Sequence, residues 1–309
     1  MQTILGAGGA IGTLVAKELK KYTPKIRLAA RNPQQVNSDD ELFSCDLKNK
    51  ACVSEAVKGS DIAYLTAGLT YNLKVWKRDW PIVMSNVISA CLQHNCKLVF
   101  FDNVYMYDKN HLANMTENTP VSPPSEKGKV RHILVRMIED AMEHRGLQAL
   151  IARSADFYGP GANASILKIG VIDTLLKNKK AFWQANDGKI HSLTYTPDAA
   201  KAVALLGNTP DAYRQTWHLP TSKEKITGKE LIALTASAMK KNARHYLLGK
   251  TMIGLAGIFI PILRELKEML YQYDRDYFFN SSKFEQRFQT QATSYAEGIK
   301  ATVQAVSGT

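Results

Sequence analysis

Short apolar runs alternate with longer amphipathic stretches along the first half of the chain. The runs are continuously apolar, which is typical of strands buried on both faces of a sheet. The amphipathic stretches have the length of crossover helices, so the pattern predicts parallel strands joined by helices. The predicted strands cover 2–5, 26–30, 41–45, 61–66, 97–102 and 147–153. The predicted helices cover 11–21, 49–58, 75–94 and 125–145.

The pattern changes after Arg153. Glycine and polar turns are mixed over 161–189, and the next stretch predicts a strand, a helix and a strand at 191–196, 198–206 and 216–219. The remainder is mostly helical and ends in a helix near 291–305. We therefore expect an α/β protein with a doubly wound parallel sheet and a smaller, mostly helical C-terminal region. The sheet domain is expected at 1–160, completed by 190–220, and the smaller region at 161–189 and 221–309.

A glycine-rich turn joins the first predicted strand to the first predicted helix. Glycine allows a tight turn, lets the backbone approach a ligand closely, and lets the helix pack close to the sheet. The free N–H groups at the start of the helix attract an anion. This order of strand, turn and helix predicts a Rossmann-type dinucleotide site. Its cofactor-binding residues would be Gly6, Gly8, Gly9, Ala10, Ile11 and Gly12.

Composition restricts the class of protein. The 309 residues are 45% hydrophobic and carry a formal net charge of +12, which favours anionic partners. The basic residues are scattered and lack any helix-turn-helix, zinc-finger or aromatic-basic RNA signature, so we expect no nucleic acid partner. The four cysteines form no CxxC pair, and no residues have metal-ligand spacing. We therefore expect reduced thiols, a cytoplasmic location and no metal site. Met1 leads directly into the first strand, from which we expect no signal peptide.

The most apolar segment lies at 251–263, between Lys250 and Arg264. It is shorter than the roughly 20 residues needed to cross a bilayer, so we expect no stable membrane insertion. A buried or subunit-contacting helix is the main interpretation. A lid over the substrate and a weak membrane contact are the alternatives.

Several motifs, in this order, resemble the extended short-chain dehydrogenase/reductase superfamily, which includes sugar-nucleotide epimerases and dehydratases. Beyond the glycine turn, the segment from Arg153 to Pro160 resembles the family's Arg-x-x-Asn-x-Tyr-Gly-Pro, with Asp156 in place of the asparagine. The segment from Thr196 to Ala200 resembles its Val-x-Asp-Val-Ala. The resemblance implies further cofactor contacts at Asp46 and Leu47, at Thr66, Ala67 and Gly68, and at Asn86.

The end of the second strand bears on the choice of cofactor. A carboxylate there would bind the ribose 2′-hydroxyl of NAD and repel the 2′-phosphate of NADP. This chain has Arg31, whose guanidinium can pair with a phosphate and stack on adenine. We expect NADP to be preferred over NAD. The alternative is that Arg31 only covers the adenine, which would serve either cofactor.

The chain departs from the family at the expected catalytic residues. Family enzymes carry a Ser or Thr after the fifth strand and a Tyr-x-x-x-Lys on the next helix. Matching the motifs puts Asn103 in the serine position, Lys127 in the tyrosine position and Arg131 in the lysine position. A cation one helical turn away would favour the neutral form of Lys127, which could then transfer a proton. Asn103 can donate a hydrogen bond to a substrate oxygen.

Three functions remain open from the sequence. The first is NAD(P)-dependent oxidoreduction or epimerisation of a small polar substrate, for example a nucleotide sugar, by hydride transfer. Lys127 would be its acid/base, with Tyr105 or Tyr107 as alternatives, although Tyr107 fits a structural role better. The second is a non-catalytic NADP(H)-binding regulator, and the third an epimerase that keeps its cofactor bound. A homodimer through the helices at 75–94 and 125–145 is expected from the superfamily.

Overall fold

The structure, a computed structural model, describes residues 1–256 and 260–307. Within it the chain forms two compact units. Unit 1 comprises Met1–Tyr105, Lys127–Ser154 and Ala199–Leu219. Unit 2 comprises Met106–Glu126, Ala155–Asp198 and Pro220–Thr309.

The strands and helices are numbered in chain order. The strands are β1 Gln2–Leu5, β2 Ile26–Ala30, β3 Glu41–Ser44, β4 Ile62–Leu65, β5 Lys97–Asp102, β6 Ala149–Arg153, β7 Asp156–Tyr158, β8 Ala181–Gln184, β9 Leu193–Tyr195, β10 Thr216–His218 and β11 His245–Leu248. The helices are α1 Ala10–Leu19, α2 Lys50–Val57, α3 Leu73–Gln93, α4 Glu126–His144, α5 Asp173–Leu176, α6 Thr196–Gly207, α7 Gly228–Ala238, α8 Lys250–Ala256, α9 Pro261–Lys267, α10 Ser282–Phe288 and α11 Tyr295–Ser307.

Unit 1 contains a seven-stranded sheet in the order β10-β6-β5-β4-β1-β2-β3, in which all neighbours are parallel. The central strands β1 and β4 are buried at every position, because helices cover parallel sheets on both faces. Helix α3 buries an apolar stripe that includes Trp76, Trp80, Val83 and Val87, at the spacing of one helical face. The predicted doubly wound parallel sheet is confirmed.

Unit 2 contains two small parallel sheets as well as helices. Strand β7 pairs with β9, and β8 pairs with β11. A core that includes Leu167, Val171, Trp183 and Leu231 fills the unit. The predicted strand at 191–196 therefore does not complete the large sheet, and β8 and β11 were not predicted.

One unit boundary differs from the expected one because of hydrogen bonds between residues far apart in the chain. The segment 106–126 belongs to unit 2, where the Met115 N–H donates to the Phe278 carbonyl at 2.8 Å and the Phe278 N–H donates to the Leu112 carbonyl at 2.8 Å. These bonds tie the segment to residues far along the chain, a pairing that local sequence patterns do not reveal.

The apolar segment 251–263 is not one buried helix. It contributes to α8 and α9, and residues 257–259 lie outside the described residues. Within it Ile253 is buried, whereas Leu255 is 63% exposed. The expectation of a buried helix is therefore wrong for the described part of the segment.

A buried ionic cluster holds α4 at the carboxyl end of β5. The Asp102 carboxylate accepts hydrogen bonds from Arg131 Nε at 2.8 Å and Arg131 Nη2 at 2.5 Å. Its other oxygen accepts from Arg153 Nε at 3.3 Å. Arg131 Nη2 also donates to the Phe101 carbonyl at 3.2 Å. The three charged side chains are at most 5% exposed, so solvent screens their attraction little.

Replacing Asp102 by asparagine should destabilise the protein strongly. The substitution keeps the size of the side chain but removes the counter-ion of two buried guanidinium groups. We expect the free energy of unfolding to fall by about 3–5 kcal/mol, measured by urea denaturation. Glu139→Gln is the control, because Glu139 pairs with Arg136 on the solvent-exposed face of α4 and should matter little. Equal denaturation midpoints for the two variants would contradict this role of Asp102.

Candidate active site

The turn between β1 and α1 is shaped so that only glycine fits at two positions. Gly6 has a φ of +94°, and a Cβ there would lie 2.3 Å from the Cα of Ala67. A Cβ on Gly12 would lie 2.9 Å from the Cα of Ala7 and 3.0 Å from the Thr66 hydroxyl. The chain therefore needs glycine at both positions to bring α1 against the ends of β1 and β4.

Gly8 and Gly9 serve a different purpose. Both are exposed, and a Cβ on Gly8 would meet nothing within 4 Å. Gly9 is the N-cap of α1 and has no side chain that could accept a hydrogen bond from the first N–H groups of the helix. The first turn of α1 also carries no acidic residue. No side chain of the N-cap residue therefore accepts a hydrogen bond from the backbone N–H groups of Ala10 and Ile11. This cradle fits the diphosphate of a dinucleotide, because free N–H groups and the helix dipole both attract an anion.

The small residues after β4 lie against the same turn. The Thr66 N–H donates to the Leu5 carbonyl at 2.9 Å, and Ala67 packs directly on Gly6. A Cβ on Gly68 would meet nothing within 4 Å, so the backbone is open there. The structure thus brings Thr66, Ala67 and Gly68 together with the glycine turn.

The residues expected at the adenine end follow β2 and β3. Arg31 is exposed directly after β2, and its carbonyl accepts a hydrogen bond from the Ser44 hydroxyl at 3.0 Å. The side chain of Asp46 is 48% exposed, whereas Leu47 is buried. The Asn86 side-chain amide donates to the Leu47 carbonyl at 3.0 Å, so Asn86 fixes this loop rather than pointing freely into a site.

Lys127 lies on α4 and is completely buried. Its ammonium group lies 4.7 Å from the ring centroid of Tyr71. Tyr71 packs edge-on against Trp76 at 5.6 Å, and Trp76 stacks on Tyr105 at 6.4 Å. The ring face lies against the Nζ group and fixes its position. Lys127 is therefore held in a fixed environment, which is unusual for a lysine without a structural or chemical role.

Arg131 lies one turn further along α4, and its guanidinium contacts groups other than Lys127. Besides its ion pair with Asp102, its guanidinium lies 4.8 Å from the ring centroids of both Trp80 and Phe100. From the sequence, Arg131 is expected to favour the neutral form of Lys127 as a neighbouring cation. In the structure that guanidinium pairs with Asp102, a carboxylate that it shares with Arg153, so the sequence-based argument lacked a counter-ion.

Asn103 and the two tyrosines lie directly after β5. The Asn103 side-chain carbonyl accepts the backbone N–H of Tyr105 at 3.0 Å, which orients the amide. Within the described residues the Asn103 amide nitrogen makes no hydrogen bond. Tyr105 is half-buried, and Tyr107 is fully buried in unit 2. The burial of Tyr107 agrees with a structural role.

Unit 2 contains a polar cluster that sequence reasoning did not identify as a unit. One oxygen of Asp156 lies 3.1 Å from His191 Nε2 and accepts the Tyr273 hydroxyl at 2.8 Å. The imidazole stacks between Tyr273 at 4.3 Å and Tyr277 at 4.7 Å. Burial raises the pKa of Tyr277, so this phenol stays protonated. The one signal available in the sequence was Asp156, a carboxylate where the family has an amide.

Other expectations concern the aromatic and sulfur-containing side chains. The side chains of Trp76, Trp80 and Trp183 are buried, and Tyr71 is half-buried. All four cysteines are free thiols. Among residues 1–256 and 260–307, no group of three or more His, Cys, Asp or Glu side chains is placed to hold a metal ion. No helix in the same part of the chain is both long and apolar enough to cross a bilayer.

Comparison with known proteins bears on both the family and the fold. A model of the NAD-dependent epimerase/dehydratase family matches residues 3–218. A search of curated protein sequences finds no significant match.

Solved structures with similar folds include three sugar-nucleotide enzymes. A UDP-glucose 4-epimerase from Thermus thermophilus, in complex with NAD, has 18% identity and a TM-score of 0.79 over 100% of this chain and 99% of its own. A UDP-glucuronic acid 4-epimerase from Bacillus cereus, in complex with UDP-glucuronic acid and NAD, has 15% identity and a TM-score of 0.81 over 100% and 99%. A dTDP-glucose 4,6-dehydratase from Streptomyces venezuelae, with NAD bound, has 14% identity and a TM-score of 0.81 over 100% and 97%. At these identities the similarity establishes the fold.

A side chain added at Gly8 should block the cradle without disturbing the fold. Gly8→Glu places a carboxylate in open space beside the first turn of α1, where it would repel a diphosphate and compete for the helix N–H groups. We expect NADPH binding, measured by calorimetry, to weaken at least about 100-fold, which corresponds to about 2.7 kcal/mol. Thermal stability should stay near that of the original protein.

The control for this experiment is Gly249→Glu. A Cβ on Gly249 also meets nothing within 4 Å, and the change in charge is the same, but Gly249 lies in unit 2. Unchanged NADPH affinity in Gly8→Glu would show that the diphosphate binds elsewhere.

Proposed function

Since the chain belongs to the NAD-dependent epimerase/dehydratase family, we propose that it is an NAD(P)-dependent enzyme in which Lys127 exchanges a proton with a substrate hydroxyl. The substrate would be a small polar molecule of the nucleotide-sugar class, as the names of the structurally similar enzymes indicate. The observation that carries the proposal is the complete burial of Lys127 beneath the ring of Tyr71. Burial and aromatic contact would hold a proton-transferring group at the position that the motif match assigns to the family's tyrosine.

In this proposal, each group of residues in unit 1 has a separate role. The glycine turn binds the diphosphate, and the bound nucleotide supplies the hydride acceptor or donor. Lys127 Nζ takes the proton of the substrate hydroxyl as that carbon is oxidised, and returns it in the reverse direction. The Asn103 amide donates a hydrogen bond to the same oxygen. Because the Tyr71 ring lies over Lys127 Nζ, the substrate would reach the amine by displacing that ring.

Arg131 has a different role in this proposal from the one its sequence position implies. The family's lysine at this place holds the nicotinamide ribose and acts on the catalytic tyrosine. Here the guanidinium binds Asp102 and the Phe101 carbonyl. We therefore assign Arg131 as a positioning residue, which fixes α4 and with it Lys127.

The same observation favours a second candidate function. Arg131, at the position of the family's catalytic lysine, forms a structural ion pair with Asp102. A chain without that catalytic lysine can bind the cofactor and still catalyse no reaction. It would then be an NADP(H)-binding regulator that signals through a partner. An epimerase would instead retain its cofactor through purification, whereas a reductase would exchange it.

The cofactor proposed is NADP(H). Arg31 is exposed at the end of β2, where a carboxylate would select NAD, and it can pair with a 2′-phosphate. The structurally similar enzymes named above are complexes with NAD. A preference for NADP would therefore distinguish this chain from them.

Three further expectations stay predictions: a cytoplasmic location, a homodimer through α3 and α4, and the absence of a nucleic acid partner. The exposed residues Ile82 on α3 and Ile133 on α4 are compatible with such a dimer.

Replacing Lys127 by methionine should abolish turnover and spare cofactor binding. Methionine fills a similar volume, and its thioether can keep a contact with the Tyr71 ring. With UDP-glucose and dTDP-glucose as probes, we expect the rate of reduction of bound NADP⁺ to fall about 100-fold or more. The affinity for NADPH should change less than about threefold, because the diphosphate site is independent of Lys127.

Lys129→Met on the exposed face of the same helix is the matched control and should keep full activity. If Lys127→Met is as active as Lys129→Met, Lys127 is not the acid/base. If the unaltered protein binds NADPH but reduces no NADP⁺ with any nucleotide sugar tested, the regulator is the better interpretation.

Replacing Arg31 by glutamine tests the cofactor preference. The variant should bind NADPH about 10- to 100-fold more weakly, since a charge-assisted contact with the 2′-phosphate is lost, and NADH about as before. Fluorescence titration of each reduced cofactor gives both dissociation constants. Arg145→Gln, an exposed site at the end of α4 with the same loss of charge, should change neither. A variant that loses affinity for both cofactors equally would mean that Arg31 only covers the adenine.

A further inference from the structure

One stretch of unit 2 concentrates both exposed apolar and basic side chains. We call residues 240–256 and 260–267 the apolar–basic surface; it contains β11, α8 and α9. Helices α8 and α9 pack on each other, and β11 pairs with β8. Ile253 is buried and attaches α8 to the unit. The surface is therefore built on ordered elements.

The apolar side chains on this surface are unusually exposed. Of the thirteen large apolar side chains that are exposed among the described residues, six lie within 17 positions. They are Tyr246, Leu247, Met252, Leu255, Ile260 and Ile262, each 40–63% exposed. Single exposed apolar residues need no explanation, but a concentration of this kind marks an interaction surface.

The charged residues of the same segment are almost all cationic. Glu265 is the one acidic residue between 240 and 267. Six cations are exposed there: Lys240, Lys241, Arg244, Lys250, Arg264 and Lys267. Lys250 pairs with Asp274 at 2.5 Å, so the segment retains a clear excess of positive charge.

Charge decides which occupant this surface fits. A second copy of the chain would bring the same cationic segment and the same net charge of +12, so like charges would oppose the contact. No helix in the described part of the chain can cross a bilayer, which removes a spanning role. Apolar side chains bordered by lysine and arginine match the interface of an anionic membrane, where the apolar groups enter the headgroup region and the cations contact lipid phosphates.

We propose that the apolar–basic surface docks this protein peripherally on anionic lipid membranes. Met252, Leu255, Ile260 and Ile262 enter the headgroup region. Arg264 and Lys267 on α9 contact the lipid phosphates. The proposal concerns a surface of unit 2 and does not depend on the reaction assigned to unit 1.

The test uses the full chain and vesicles of defined composition. The protein is sedimented with phosphatidylcholine vesicles and with vesicles that also contain phosphatidylglycerol. We expect binding to the anionic vesicles alone, weakened by added salt. Met252→Ser combined with Leu255→Ser should lower the partition coefficient about tenfold or more, because both apolar contacts are lost. Arg264→Gln combined with Lys267→Gln should lower it by a similar factor.

The matched control is Tyr22→Ser combined with Leu42→Ser, which removes two exposed apolar residues from unit 1. It should bind vesicles as the original protein does, and NADPH binding by every variant reports on folding. The proposal is overturned if the protein stays in the supernatant with both kinds of vesicle. It is also overturned if the Met252/Leu255 variant binds as well as the control, which would mean adsorption by net charge alone. If the original protein binds no vesicles and the Met252/Leu255 variant loses a dimer that the original protein forms in light scattering, the surface contacts a second copy of the chain instead.

Discussion

The carboxylate of Asp102 is the contact on which the candidate site depends. It lies at the last residue of β5 and binds two guanidinium groups, one from α4 and one from the last residue of β6. Burial makes this attraction strong and also makes the loss of any one member costly. Because Lys127 lies one helical turn before Arg131, the ion pair that anchors α4 also fixes the position of Lys127.

If the motif match is right, this arrangement explains how the chain can depart from its family at two residues and keep the fold. In the family pattern a tyrosine and a lysine on this helix work as a pair. Here the second cation has become structural, and the first is buried under Tyr71. A proton-transferring role then rests on Lys127 and its aromatic surroundings, without help from an uncompensated neighbouring charge. The glycine turn is unaffected, since its geometry depends on Ala67 and Thr66 and not on α4.

The two units carry distinct polar centres. Unit 1 has the cradle and the Asp102 cluster, whereas unit 2 has the buried contact of Asp156 with His191 and Tyr273. An asparagine in place of Asp156 would present a mixed donor and acceptor, but a carboxylate only accepts. Asp156 therefore suits the two side chains that converge on it, and the departure from the family motif has a structural reason within unit 2.

Much of the fold and of the nucleotide site could be predicted because both depend on local patterns. Continuous apolar runs identified the strands β1, β2, β4 and β5 to within a residue, and the membership of the epimerase/dehydratase family is confirmed. The need for glycine at Gly6 and Gly12 was also readable, since a turn and a close approach follow from the strand–turn–helix order. The short strands β7, β8, β9 and β11 were harder, because three or four residues carry too little periodicity.

By itself, the sequence determined the sheet, and it predicted the dinucleotide cradle and the residues that stand in the positions of the usual catalytic pair. Only the tertiary structure decided what those residues do. Arg131 meets Asp102 from 29 positions away, and His191 and Tyr273 meet Asp156 from 35 and 117 positions away. The energy of a buried charge depends on the partner that folding brings to it, and no spacing along the chain contains that information.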